Sequence, residues 1–326
     1  RSTGAAGVPG PVRAPRALVI GAGSIGARHA RNLASLGATV LVMDPDPSRA
    51  GAVPGCEGTM LDLADLGRPD VVVIAGPTIV HAEHLDTVLD TTDATVMVEK
   101  PLATLDDDID ELVRKAGDRT MVGLNLRLYE PVRRTLELVR SGEAGDVVSA
   151  RLWFGSWLPD WRPDVDYRRT YSARAELGGG VLLDAIHELD LALWLADEPL
   201  EVISAVVARL GPLEIDVEDT VRAQLRTPSG VPVEIALDYL SRRYRRGIEV
   251  IGTRATIRLD WARHTLEVER AEERRELAVD WDIDRSYQRE AERLLAFASG
   301  DAQPPVDATV ATAGIELARA IRGAAG

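Results

Sequence analysis

The chain has 326 residues, a formal net charge of −14 and an apolar fraction of 45%. This length predicts two domains, and the apolar fraction is ordinary for a globular protein. The acidic balance argues against nucleic acid or an anionic membrane as the main partner. No apolar run approaches the ~20 residues that cross a bilayer. The single cysteine, Cys56, excludes an internal disulfide and fits a reducing, cytoplasmic setting. No second ligand accompanies Cys56 at metal spacing, so no metal site is predicted.

Residues 1–15, RSTGAAGVPGPVRAP, are rich in glycine, proline and alanine. They lack the apolar core of a signal peptide. We expect this segment to be a flexible leader.

The stretch 16–44 has the pattern of a β-α-β unit. An apolar strand is predicted over 17–20, a helix over 25–36, and a second strand over 39–43 that ends in Asp44. Between the first strand and the helix stand Gly21, Gly23 and Gly26, at G-x-G-x-x-G spacing. A lone glycine pattern would suit other α/β turns, but the complete unit with its terminal acid predicts dinucleotide binding.

Each position in this unit has a physical reason. The first glycine permits the tight turn, the second lets the backbone approach a pyrophosphate, and the third lets helix and strand pack closely. The helix N-terminus offers free N–H groups to the phosphates. Asp44 can accept hydrogen bonds from ribose hydroxyls and would repel a 2′-phosphate, which favours NAD over NADP. Arg49 lies nearby, and its simpler interpretation is a solvated charge. The predicted cofactor contacts here are Gly21, Gly23, Ser24, Ile25, Gly26 and Asp44.

Strands and helices continue to alternate up to residue 125. Strands are predicted over 71–75, 95–98 and 120–124, with helices over 79–90 and 105–116. This alternation is typical of a parallel, doubly wound α/β sheet. We therefore predict a dinucleotide-binding domain over 16–125 and a second domain over 126–326.

The second domain has a different pattern, with consecutive short strands. They argue for an antiparallel or mixed sheet. Strands are expected at 147–155, 203–210, 220–226, 231–240, 248–251, 255–259 and 265–270. Helices are expected at 130–141, 181–196, 284–299 and 307–322, and residues 156–175 look irregular.

Three predicted strands of the first domain end in polar or glycine-containing turns. Because ligands bind beyond the carboxyl ends of parallel strands, these turns should share one edge with the glycine turn. Pro77, Thr78 and His81 can line the nicotinamide side there, although Thr78 could be a helix cap and His81 a solvated residue. Glu99, Lys100 and Asn125 complete the predicted cofactor side.

Lys100 is the sharpest candidate for chemistry in the first domain. It follows an apolar strand and precedes Pro101. On the ligand edge it can donate to a hydroxyl or carbonyl oxygen and stabilise the charge that grows there during hydride transfer. Glu99 could hold it in place. The alternative is an ordinary surface lysine at a strand end.

A second cluster, GGGVLLDAIHELD, covers 178–190. On one continuous helix, Asp184 and His187 would share a face. The carboxylate could orient the imidazole, and histidine has the pKa suited to proton exchange near neutrality. The alternative is a helix cap followed by a buried, satisfied histidine.

These motifs together resemble the Gfo/Idh/MocA oxidoreductase family, named for glucose–fructose oxidoreductase, inositol dehydrogenase and a rhizopine-catabolism protein. The resemblance rests on GAGSIGARHARNL, AGPTIVHAEH, EKPL, GLNLR and GGGVLLDAIHELDLALWL, in that order. It implies an N-terminal Rossmann domain and a C-terminal α/β domain with a large, open, mainly antiparallel sheet. It also implies a homodimer or homotetramer through that sheet, and oxidation of a sugar or cyclitol hydroxyl or the reverse reduction.

The resemblance also implies roles for single residues. Lys100 matches the lysine that contacts the reacting oxygen, His187 the proton-transferring histidine, and Asp184 the substrate-binding aspartate. The spacing here is D-x-x-H, where many members have D-x-x-x-H.

Residues 157–180 resemble the family's substrate loop. Trp161 and Arg162 are expected to touch the cofactor or cap the pocket. A sugar or phosphate could be contacted by Tyr167, Arg168, Arg169 and Tyr171, whose alternative is loop packing. A nucleotide diphosphate could be held by the basic run Arg242, Arg243, Arg245 and Arg246, whose simpler interpretation is a solvated face or a subunit contact.

The leading interpretation is an NAD-dependent dehydrogenase or ketoreductase for a sugar, sugar derivative or cyclitol. One alternative is a glycosidase of the same fold that uses NAD transiently. Another is a non-catalytic regulator that binds the dinucleotide.

Overall fold

Two β-sheets organise the chain in this computed structural model, which describes residues 13–56, 58–60 and 67–325. Most of the predicted leader, residues 1–12, lies outside the described residues. Its last residues run into the first strand, and the Arg13 guanidinium bonds the Asp70 carboxylate at 2.7 Å.

The first sheet has six parallel strands in the order β3-β2-β1-β4-β5-β6. This is the doubly wound arrangement predicted from the alternating pattern. The strands are continuous apolar runs because helices cover both faces, and all four residues of β4 are buried. The short β3 was not predicted. The bounds are β1 (Arg16–Ile20), β2 (Thr39–Met43), β3 (Gly58–Met60), β4 (Val71–Ile74), β5 (Thr95–Glu99) and β6 (Thr120–Gly123).

The helices of this half begin and end at identifiable residues. The first helix starts directly after Gly23, and Gly37 follows its end with φ of +87°. The fourth is capped by the Asp108 carboxylate, which accepts the Glu111 N–H at 3.0 Å. The bounds are α1 (Ser24–Ser35), α2 (Pro47–Gly51), α3 (His81–Thr91) and α4 (Ile109–Ala116).

The second sheet has eight strands in the order β14-β13-β12-β11-β7-β10-β9-β8. Its neighbours are antiparallel except for β7 and β10, so it is mainly antiparallel as expected. The last strand was not predicted. The bounds are β7 (Val147–Gly155), β8 (Glu201–Ala208), β9 (Thr220–Arg226), β10 (Pro232–Asp238), β11 (Arg245–Gly252), β12 (Thr256–Asp260), β13 (Thr265–Glu269) and β14 (Arg274–Glu276).

The prediction of one continuous helix over 181–196 is wrong. The backbone leaves helical geometry at Ala185, with φ of −96° and ψ of 31°. Two helices result, α6 (Val181–Asp184) and α7 (Ile186–Ala196). The break removes the regular helical register between Asp184 and His187.

The remaining helices are α5 (Glu130–Arg140), α8 (Asp284–Ala298) and α9 (Ala308–Gly323). Helix α8 follows the second sheet in sequence but packs on the first, where Ala291 and Leu294 share a core with Val19 and Val73. The division at residue 125 stays a prediction. No helix in the described ranges is long and apolar enough to cross a membrane.

Candidate active site

The glycine turn combines tight packing inside with open space outside. Gly21 has φ of +99°, and a Cβ there would lie 2.8 Å from the Ala75 carbonyl oxygen. A Cβ on Gly26 would collide with the Gly21 carbonyl oxygen, whereas one on Gly23 would meet no atom of the described residues within 4 Å. The turn therefore leaves room at Gly23 for a pyrophosphate, beside the exposed Ser24 and the half-buried Ile25.

Asp44 is anchored to this turn. Its carboxylate accepts the Ala22 N–H at 2.7 Å and the Asp46 N–H at 2.8 Å. A carboxylate fixed beside the glycine turn has the chemistry to accept ribose hydroxyls. The Arg49 side chain is 65% exposed, and its guanidinium lies 3.5 Å from the Asp46 carboxylate, so it pairs with Asp46 and not with Asp44.

His81 joins two of the strand-end turns. Its Nδ1 lies 2.8 Å from the Pro101 carbonyl oxygen and its Nε2 lies 3.0 Å from that of Gly76. Burial lowers the pKa of His81, while these two hydrogen bonds raise it in part. Because both ring nitrogens are occupied by backbone, the histidine holds the turns together and has no nitrogen left for a ligand.

Thr78 and Asn125 are also buried at this edge. Thr78 lies in a 3₁₀ turn that follows Pro77, and a Cβ on Gly178 would come within 3.1 Å of its Cβ. The glycine stretch of the second half therefore approaches the first half here. The Asn125 amide donates to the Ser286 hydroxyl at 2.8 Å, so it ties the end of β6 to α8.

Lys100 bridges the two halves of the chain. Its ammonium donates to the main-chain carbonyl oxygen of Asp184 at 2.9 Å. The main-chain N–H of Lys100 donates to the Glu99 carboxylate at 3.2 Å. The predicted lysine and the predicted Asp184 cluster therefore meet, although they are far apart in sequence.

His187 is a buried, neutral imidazole beside two cations. Burial lowers the pKa of His187 well below its usual value, and the charges of Arg246 and Lys100 lower it further. Its Nδ1 has no hydrogen-bond partner among the described residues. An uncharged ring with a free nitrogen can accept a proton.

The predicted pairing of Asp184 with His187 is not found within the described ranges. The Asp184 carboxylate instead accepts the Tyr239 hydroxyl at 2.5 Å, and its charge also acts on Tyr171. Burial raises the pKa of both tyrosines well above 10.0, and the Asp184 charge raises it further. The physical reason is the break at Ala185, which separates the directions of the two side chains.

The predicted substrate loop contributes some of its residues to this cluster. The Trp161 ring lies edge-on to Tyr239 at 5.3 Å, and its buried Nε1 has no partner in the described part of the chain. The exposed Arg162 guanidinium lies 5.8 Å from the Tyr171 ring centre. Trp161 and Tyr171 thus reach the predicted site.

Three neighbouring loop residues have other contacts, although Tyr167 lines a small cavity together with Trp161 and Arg162. Arg168 pairs at the surface with Asp166 at 2.8 Å and Glu214 at 3.4 Å. The Tyr167 hydroxyl accepts the Glu214 N–H at 3.2 Å, and Arg169 is exposed.

The basic run 242–246 does not form one solvated face. Arg246 is 14% exposed and bonds Glu188 at 2.5 Å, between the rings of Phe154 and Trp261. Arg245 turns to Asp238 at 2.9 Å. The two arginines diverge because successive side chains of a strand point to opposite faces.

Tyr239 was missed in the sequence, and so was the pairing of Glu188 with Arg246. One signal was present, because α7 is apolar on all sides yet contains Glu188 and Asp190. Acids on such a helix require buried partners. Asp190 has its partner in Arg127 at 2.6 Å.

Two family models match the chain. One is described as "Oxidoreductase family, NAD-binding Rossmann fold" and matches residues 16–124. The other is described as "GFO/IDH/MocA C-terminal domain" and matches residues 132–258.

Known proteins with similar sequence or structure have related descriptions. Inositol 2-dehydrogenase of Acidothermus cellulolyticus is 31% identical over 82% of this chain and 80% of its own length. The 1,5-anhydro-D-fructose reductase of Ensifer adhaerens is 31% identical over 50% of this chain and 48% of its own. The solved structure of the WlbA dehydrogenase from Bordetella pertussis, in complex with NADH and UDP-GlcNAcA, has a TM-score of 0.82. At 24% identity, it covers 96% of this chain and 97% of that one, so it supports the fold.

Proposed function

Because the chain belongs to the Gfo/Idh/MocA family of NAD-binding oxidoreductases, we propose that it interconverts a hydroxyl and a carbonyl group of a sugar or cyclitol at one pocket between its two sheets. The observation that supports this pocket is the convergence of Lys100 and His187. The lysine ammonium reaches Asp184 across the two halves, and its charge acts on His187. A donor and a proton acceptor at one place suit this reaction.

NAD, when bound, supplies the hydride acceptor or donor. The residues that would hold it fit that group, because the turn is open at Gly23 and Asp44 is fixed beside it. Pro77, Thr78 and Trp161 would shape the nicotinamide side. His81, Glu99 and Asn125 would stabilise the turns around NAD without contacting it, because their side chains bond other protein groups.

The chain's own residues then have distinct tasks. Lys100 donates to the reacting oxygen and stabilises its negative charge. His187 takes the hydroxyl proton during oxidation and returns it during reduction. Asp184 fixes the buried Tyr239 hydroxyl, and the partly exposed Tyr171 would border the substrate. General acid–base residues of this kind accelerate reactions by about 10²–10⁴-fold.

The substrate class is proposed from the relatives. A relative matched over 80% of its length is named for inositol, and another is named for an anhydro sugar. A polyhydroxylated ring is therefore the substrate class to test. Arg242, which lies 3.5 Å above the Trp157 ring, would be placed to contact a larger, anionic substituent if the sugar is nucleotide-linked.

We also propose a cytoplasmic homodimer or homotetramer that pairs through the eight-stranded sheet. The edge strand β8 exposes Ile203 and Val206 at 50% each, and such apolar positions are used at protein interfaces. Sedimentation velocity tests this, and a concentration-independent monomer would contradict it.

A substrate screen with NAD⁺ tests the proposed activity. Purified chain is mixed with NAD⁺ and single cyclitols, free sugars or nucleotide-linked sugars, while NADH absorbance and product are followed. Stoichiometric NADH with a ketone product supports the dehydrogenase. Bond cleavage without net NADH would instead favour the glycosidase, and tight NAD binding without turnover of any compound would favour the regulator.

A further inference from the structure

Three buried titratable side chains meet behind Lys100, and the proposed reaction does not use them directly. They are His29 on α1, Glu99 at the end of β5 and Glu290 on α8, with exposures of 1%, 8% and 1%. One ligand-capable atom of each lies within 4.8 Å of the others. Residues from three separate elements thus form one cluster.

Two of the three are bonded, and the third is not. His29 Nε2 lies 2.6 Å from a Glu99 carboxylate oxygen, whose other oxygen accepts the Lys100 N–H at 3.2 Å. Glu290 Oε2 is buried and has no hydrogen-bond partner in the described ranges. Among the described residues, no salt bridge is therefore available to balance a charge on Glu290.

The charges around the cluster favour the ionised form of one of its two carboxyl groups and the protonated form of the other. Burial raises the pKa of Glu99, but the hydrogen bond and charge of His29, together with Lys100, outweigh burial and lower that pKa overall. Burial and the Glu99 charge raise the pKa of Glu290 well above 4.5. Two ionised carboxylates this close would repel strongly in a buried site.

The neighbouring groups in the described ranges also place no cation against Glu290. Tyr287, from α8, packs edge-on to His29 at 6.1 Å. Arg28, from α1, lies 4.5 Å above the Tyr287 ring and 3.3 Å from Asp284. Burial and the Glu99 charge raise the pKa of Tyr287 to about 12, so its hydroxyl stays neutral.

We propose that Glu290 is a positioning residue that remains protonated, so that Glu99 is the one ionised carboxylate of this three-residue cluster and keeps Lys100 aligned with the substrate oxygen. Glu290 acts through Glu99 and touches no reacting atom. The proposal rests on the role of Lys100 given above. Helix α8 follows the second sheet in sequence, and the proposal gives it a function at the edge of the first sheet, next to Glu99 and Lys100.

The experiment compares Glu290→Gln, Glu290→Ala and the exposed control Glu292→Gln on the same helix. The infrared difference spectrum of wild type minus Glu290→Gln at neutral pH reports whether the carboxyl is protonated. With the substrate found in the screen, kcat, the KM for that substrate and the Kd for NAD are measured for each variant.

We expect a protonated-carboxyl band that disappears in Glu290→Gln, and near-normal kcat in that variant, since glutamine is neutral and similar in shape. Glu290→Ala should lower kcat by about 10–100-fold with little change in the Kd for NAD, because misplaced catalytic groups cost rate. Glu292→Gln should match wild type.

Four results would overturn the inference. A carboxylate band for Glu290, in place of the protonated-carboxyl band, would show that Glu290 is ionised and that the cluster holds two negative charges. Equal losses of kcat in the glutamine and alanine variants show that a charge is required. Normal kcat with reduced Tm in Glu290→Ala shows a purely structural role. One divalent ion per wild-type chain, absent from Glu290→Gln, shows a metal site. The infrared result stands apart from the proposed role of Lys100, which fails separately if Lys100→Met retains full turnover.

Discussion

The Lys100 ammonium donates a hydrogen bond to the main-chain carbonyl oxygen of Asp184 at 2.9 Å, and this bond joins the two halves of the chain. The donor follows the last residue of β5 in the parallel sheet. The acceptor ends the short helix α6, next to the break at Ala185. The break leaves the Asp184 carbonyl available because α6 does not continue as a regular helix, so the irregular backbone itself helps to place the lysine.

Replacing Lys100 tests its role against a control within the chain. The chain has two lysines, Lys100 and Lys115, and the second is bonded to Asp86 at the surface. We expect Lys100→Met to lower kcat by about 10²–10³-fold with the Kd for NAD unchanged, because charge stabilisation at the reacting oxygen is lost. Lys115→Met should keep wild-type kcat. Steady-state kinetics and NAD titration measure both, and equal behaviour of the two variants would refute the assignment.

The pH dependence of oxidation should reflect the buried histidine. The pKa of His187 is lowered well below 6.5, so the ring remains neutral and able to accept a proton at pH 6.5 and somewhat below. We expect kcat/KM to fall only at more acidic pH, as the pH drops through that lowered pKa.

The paired variant Glu188→Gln with Arg246→Met removes one nearby cation without leaving its partner charged. It should move the acid limb of kcat/KM upward, toward 6.5. A limb already at or above 6.5 in wild type, or no movement in the paired variant, would contradict this role.

The lowered pKa of His187 also makes the free energy of unfolding depend on pH. An unfolded histidine binds a proton near 6.5, whereas the folded ring resists it. The unfolded state therefore holds more protons between the lowered pKa and about 6.5, so His187 makes the folded state less stable as the pH falls through this window. The difference in Tm between wild type and His187→Gln should be constant near neutrality and should change in favour of the variant as the pH falls through this range.

Two glycines of the nucleotide turn should respond differently to alanine. Gly23→Ala adds a methyl group into open space, so Tm should hardly change while the Kd for NAD rises by about tenfold or more. Gly26→Ala drives a methyl group into the Gly21 carbonyl and should reduce the free energy of unfolding by about 1–3 kcal/mol. Calorimetry and NAD titration separate the effects. Unchanged NAD affinity in Gly23→Ala would argue against a pyrophosphate at this turn.

Cofactor choice should depend on the charge of Asp44. Asp44→Asn keeps an oxygen that can accept the Ala22 N–H but removes the repulsion of a 2′-phosphate. The ratio of kcat/KM for NAD to that for NADP should fall by about tenfold, or about 1.4 kcal/mol. Arg49→Gln is a suitable control, since its side chain is exposed and pairs with Asp46. An unchanged ratio in Asp44→Asn would show that selectivity arises elsewhere.

The alternation of apolar and helical segments along the sequence was enough to predict the parallel sheet of the first domain. Apolar runs that alternate with helical segments specify a parallel sheet, and G-x-G-x-x-G with a terminal acid specifies its ligand edge, because both are local properties of a short stretch. Strand β3 was missed because its three residues give too short a signal. The two long helices at the C-terminal end were predicted well, but not that α8 packs on the first sheet.

The sequence by itself determined the doubly wound sheet, the mixed second sheet, the nucleotide turn and the candidates Lys100 and His187, since periodicity and motif spacing are visible along the chain. Only the tertiary structure decided which groups bond to which. It turned Asp184 away from His187 and toward Tyr239, buried Arg246 against Glu188, and brought Glu290 to Glu99. Those partners are set by packing between distant elements, where the cost of a buried charge selects a neighbour that no local pattern encodes.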